Sequence, residues 1–89
     1  MHRVVLECSG VPAAEGEEAA RDIEAEFRDH RTHHKNVRCS FRDGKLVLQA
    51  ENDWDPDGLA LMDEFSDCIS AYITTLFDGD LTLVSSTTI

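Results

Sequence analysis

Large apolar residues recur at two different periods along the chain, and the switches between them mark out its elements. Val4, Leu6 and Cys8 alternate with Val5, Glu7 and Ser9, the two-residue period of a strand. Ser9-Gly10-Val11-Pro12 interrupts it, and a helix is predicted from between Pro12 and Gly16 to about His30. Its apolar stripe is thin: Gly16, Ala20, Ile23 and Phe27. Glu15, Glu17 and Glu18 stand near its start and Arg28 and His30 near its end, which suits the helix dipole. After the polar residues 31–36, Val37–Arg42 and Lys45–Ala50 flank Asp43-Gly44, a turn pair that fixes a two-residue hairpin. The expected register sets Arg42 opposite Lys45, Phe41 opposite Leu46, Cys39 opposite Leu48 and Val37 opposite Ala50.

The most apolar stretch follows. Met62, Phe65, Ile69, Tyr72 and Leu76 step by three and four, the spacing of one helical face. The expected helix begins at Pro56 with Asp55 as N-cap, carries a Trp54–Leu59 staple and stops at Asp78-Gly79. Asp80 to Ile89, rich in Leu, Val and Thr, reads as a last strand. Phe27, Phe65, Ile69, Leu6, Leu48 and Leu83 are the expected core.

The order is β-α-β-β-α-β, and it resembles the ferredoxin-like class over the whole chain. That resemblance implies an α/β (α+β) two-layer sandwich: a four-stranded antiparallel sheet with both helices on one face. The implied strand order is 4-1-3-2, with strands two and four at the edges. At 89 residues a single domain, 1–89, is expected.

Charge sharpens the picture. The formal net charge is −10. From Arg28 to Lys45 six bases stand against two acids, whereas the rest of the chain holds two bases and sixteen acids. The acidity, and an open sheet face without aromatics, argue against nucleic-acid binding. No apolar run approaches a membrane span, and no signal peptide opens the chain, so a cytoplasmic protein with three reduced cysteines is expected.

Candidate chemistry is sparse. The chain lacks the Gly-aromatic-Arg cradle of an acylphosphatase-like site, a phosphate loop and a nucleophile–base set, so catalysis is disfavoured. Two metal patterns stand out. Asp53-Trp54-Asp55-Pro56-Asp57-Gly58 and Glu64 match the calcium loop of an EF-hand, with ligands from Asp53, Asp55, Asp57, Glu64 and the Leu59 carbonyl. The competing reading makes Asp55 a helix cap, and the periodicity starting at Leu59 favours it. His30, His33 and His34 form a possible transition-metal cluster. The leading functional expectation is a small, acidic, non-catalytic protein-interaction module, which pairs with another protein or with itself. Arg38 and Arg42 on edge strand two are its expected contacts. The alternatives are a calcium-binding protein using residues 53–64 and a small-ligand-binding regulatory domain.

Overall fold

The computed structural model describes all 89 residues. Six elements follow in the order β1 (His2–Cys8), α1 (Ala13–His30), β2 (Lys35–Arg42), β3 (Lys45–Asn52), α2 (Leu59–Tyr72) and β4 (Leu81–Thr88). The strands form one antiparallel sheet in the order β2-β3-β1-β4. The chain is therefore a two-layer α/β sandwich of ferredoxin-like topology, with β2 and β4 at the edges.

Alternation along the strands explains which face is covered. Val4, Leu6 and Cys8 of β1 and Leu46, Leu48 and Ala50 of β3 are buried on the helix side. They meet Ala19, Ala20, Ile23 and Phe27 of α1 and Leu61, Phe65, Cys68 and Ile69 of α2 in one continuous core. The other face carries Val5, Glu7, Val47 and Gln49, all half-buried, and no helix covers it. There Lys45 Nζ lies 3.4 Å from Glu7 Oε1.

The β2–β3 hairpin follows the turn chemistry. Asp43 and Gly44 both take positive φ, 52° and 77°, as a type I′ turn requires. Arg42 faces Lys45, Phe41 faces Leu46 and Cys39 faces Leu48. The expected Val37–Ala50 pair does not form. Asn36 turns left-handed at φ 50°, and the register shifts between Lys35 and Arg38.

Helix α2 is shorter than expected at both ends. It starts at Leu59, three residues after Pro56, because Gly58 adopts φ 69° immediately before it. A Cβ on Gly58 would lie 2.8 Å from Val4 Cγ1, so the entry to α2 presses directly on the core. Asp55 still serves the helix start. Its two carboxylate oxygens accept from the backbone N–H groups of Ala60 (3.4 Å) and Leu61 (3.1 Å). The Trp54–Leu59 staple is absent, since both side chains are substantially exposed. The helix ends at Tyr72, where Ile73 turns extended. Glu15 on α1 then accepts from both the backbone N–H and the hydroxyl of Thr74.

Five of the six expected core residues are buried. Leu83 is not: it is 45% exposed, because β4 is an edge strand with a neighbour on one side only.

Candidate functional site

Three connections meet at one end of the sandwich: the turn from α1 to β2, the loop from β3 to α2, and the first turns of α2. His33 and His34 come from the first. The His34 N–H bonds the Arg31 carbonyl in the tight turn that follows α1. Glu64 comes from α2, one residue before the core anchor Phe65, so the helix that buries Phe65 also fixes where Glu64 stands.

The Glu64 carboxylate gathers three donors. His33 Nε2 lies 2.9 Å from Oε1, Arg31 Nη1 lies 3.2 Å from the same oxygen, and His34 Nε2 lies 2.6 Å from Oε2. Arg31 is shared with Glu26, 3.2 Å away, and lies over the Phe27 ring. Burial pushes the Glu64 pKa up, but the bonds from His34 and Arg31 pull it below the ordinary carboxylate value. The His34 side chain has no exposed surface, whereas that of His33 is about half exposed. Trp54 lies beside both imidazoles, at ring-centre distances of 5.9 Å from His33 and 5.5 Å from His34.

The buried Asn52 fixes the proton on His34. Its Oδ1 accepts from the Trp54 and Asp55 backbone N–H groups, at 3.2 and 2.8 Å, so its NH2 group is the one facing His34. Nδ2 donates to His34 Nδ1 over 3.2 Å. That ring nitrogen therefore carries a lone pair, and Nε2 carries the hydrogen given to Glu64. The result is a continuous chain from the β3–α2 loop through Asn52 and His34 to Glu64.

The two sequence-predicted metal sets are recombined rather than kept. His33, His34 and Glu64 come together, with one donor atom of each within 4.8 Å of the others, and no other cluster of ligand-bearing residues forms. The calcium set does not assemble. Asp55 is buried against the N–H groups of α2, Asp53 and Asp57 are exposed, Leu59 begins the helix, and Glu64 faces the histidines. Its pattern is satisfied by a helix entry instead of a loop around an ion. His30 is the exposed last residue of α1 and stands outside the cluster. Asn52 and Arg31 are not singled out by the sequence, and Trp54 only as part of the helix entry, because the contacts that tie Asn52 and Arg31 to the cluster, with His34 and Glu64, span 18 and 33 residues.

The cysteines offer no activated nucleophile. Burial is the main cause that raises the pKa of all three, and Cys39 is pushed up to about 12.

The two sheet edges differ sharply. Along β2, Lys35, Arg38 and Arg42 face solvent and a register shift interrupts the strand. Along β4, every residue from Thr82 to Thr88 is exposed and none is charged. A bulge opposite Val5 and Leu6 is the only irregularity there. The Ser86 hydroxyl donates to the Pro56 carbonyl, which sets the acidic loop of residues 53–57 beside one end of β4. Asp78 and Asp80 flank the other end. Beyond Lys45 the chain has nine acids and no Lys, Arg or His. No helix is long and apolar enough to cross a membrane. Compared with protein-family models, with curated proteins and with solved structures, the chain matches none.

Proposed function

We propose that the protein is a non-catalytic interaction module that receives an extended segment of a partner protein on the outer edge of β4, and that this segment carries Lys or Arg. The observation behind this reading is the bare edge itself: eight residues, none charged, paired on one side only. Sheet edges left in this state recruit further strands, and folded proteins ordinarily blunt them with charges, prolines or bulges. Here β2 is blunted in that way, by Lys35, Arg38 and Arg42, whereas β4 has neither charge nor proline and only one bulge, between Leu83 and Ser85, with Leu81–Leu83 and Ser85–Thr88 in register with β1 on either side of it. In this reading Arg38 and Arg42 keep their edge closed, and the docking role falls to β4.

Backbone hydrogen bonds from an added strand supply affinity without regard to sequence, so selectivity must come from the side chains around it. Those include acids at both ends of β4, with no base in that half of the chain, and Arg3, opposite Thr87 on β1, is ion-paired with Glu51. A basic segment meets complementary charge there, and an acidic one is repelled. The charge of −10 likewise opposes pairing with a second copy.

Two eight-residue peptides of strand-forming sequence, one with alternating Lys and one with alternating Glu, test the reading by titration into the 15N-labelled protein. The expected result is saturable shifts of the β4 amides with the Lys peptide, weakened by salt and lost in Thr82→Lys. Equal binding of both peptides, or binding of neither, would contradict it. So would a stable dimer in sedimentation of the protein alone.

A further inference from the structure

We infer that His33, His34 and Glu64 form a site for a divalent transition-metal ion of the zinc class, and that occupying it turns the Asn52 side-chain amide around. The donor set is two imidazole nitrogens and a carboxylate oxygen, which suits zinc and not calcium, a cation that collects six or more oxygens. The three groups already converge. Ligands about 2.0 Å from a tetrahedral ion stand about 3.3 Å apart. His33 Nε2 lies 2.9 Å from Glu64 Oε1 and His34 Nε2 2.6 Å from Oε2, and one donor atom of each residue lies within 4.8 Å of the others, so side-chain adjustments of about an ångström, with the carboxylate turning one oxygen to the ion, bring the set to that spacing. Three protein ligands leave the fourth position to water, and the half-exposed His33 lies on the route in.

Asn52 sets the terms of entry. A metal on His34 Nε2 takes the lone pair there, and the ring hydrogen moves to Nδ1. That hydrogen then points at the Asn52 NH2 group 3.2 Å away, donor against donor. Reversing the amide presents Oδ1 to His34 and restores the acceptor that metal-bound histidines have behind them. The reversal withdraws Oδ1 from the Trp54 and Asp55 N–H groups. Metal uptake is thereby coupled to the loop that leads into α2. Arg31, 3.2 Å from Glu64 Oε1, places a cation beside the site, partly offset by Glu26. Both features make the site weaker than one preorganised for metal.

The test is zinc titration of the full chain, followed by calorimetry, by Trp54 fluorescence and by the imidazole 15N resonances. The expected result is one zinc per chain, with Nε2 of both His33 and His34 shifting and the Trp54 emission changing. Calcium should not compete. Asn52→Asp, whose carboxylate accepts from Nδ1–H without any reversal, should bind zinc about 10–100-fold more tightly. His33→Ala should lose at least tenfold in affinity. Unshifted Nε2 resonances at saturating zinc in the wild-type chain would overturn the proposal, as would unchanged affinity in both variants.

Discussion

Gly16→Ala is a substitution whose sign the structure decides. Gly16 is a buried residue of α1, and within a helix Ala is favoured over Gly by about 0.8–1.0 kcal/mol. Judged by propensity alone, the change should stabilise the protein. A Cβ at this position, however, would overlap the Phe41 ring at Cγ, Cδ1 and Cε1. Since Cγ is involved, the ring cannot escape by a small twist and must swing away from α1. Fully burying a Phe side chain is worth roughly 1.5–3 kcal/mol, and Phe41 is largely though not fully buried, so its release costs about 2 kcal/mol. The net expectation is a loss of about 1 kcal/mol, which lowers Tm by about 4–8 °C in a domain of this size. Thermal melts followed by circular dichroism measure it. In a Phe41→Ala background the obstacle is gone, and the same Gly16→Ala change should raise Tm, giving a coupling of about 2 kcal/mol. If Gly16→Ala stabilises the chain while Phe41 is present, the packing of α1 on β2 described above is wrong.

Three other outcomes follow from named groups. Phe65→Ala, which empties a fully buried position between α2 and the sheet, should cost about 3–5 kcal/mol in urea unfolding. Glu64 has its pKa held below the ordinary value of 4.5, so its contribution to stability is fully present above that value and is lost as pH falls through the folded-state pKa. Glu64→Gln should flatten that acid limb in melts taken between pH 6 and 3; an unchanged limb would remove Glu64 as its source. Cys39, with its thiol pushed up to about 12, should resist iodoacetamide at pH 7.5 in the folded protein and react once denatured, as read by mass spectrometry.

The legible parts of the fold are those set by neighbours in sequence. Asp43-Gly44 specifies its own turn, and the apolar alternation on either side agrees with the register the turn imposes, so Phe41–Leu46 and Cys39–Leu48 could be read directly. Three residues further on the reading fails, because the left-handed turn at Asn36 leaves no hydrophobic signature. The end of α2 failed for a related reason. Apolar spacing continues through Leu76 and Phe77, but the β-branched run Ile73-Thr74-Thr75 disfavours helix, and Glu15 holds Thr74 from another element. The functional cluster shows the same division. Glu64, His33 and His34 were each marked by a motif, yet the motifs assigned them to different sites, since thirty residues of chain separate partners that the fold sets in contact. The shape of the polar loop 53–58 was the decisive unknown. Whether three aspartates wrap an ion or one caps a helix depends on where Gly58 turns, and that is fixed by its packing on Val4 and Leu6.

The bare β4 edge is the central claim about function, and amide hydrogen exchange tests it most directly. Exchange is measured at Leu81–Thr88 with and without the Lys-bearing strand peptide, using the Arg- and Lys-lined β2 edge as internal control. In the free protein the outward-facing β4 amides should exchange fast, because nothing pairs with them. With the peptide bound, protection should appear at those alternate β4 amides and leave β2 unchanged. Protection on β2, or outward β4 amides already slow in the free monomer, would contradict the account.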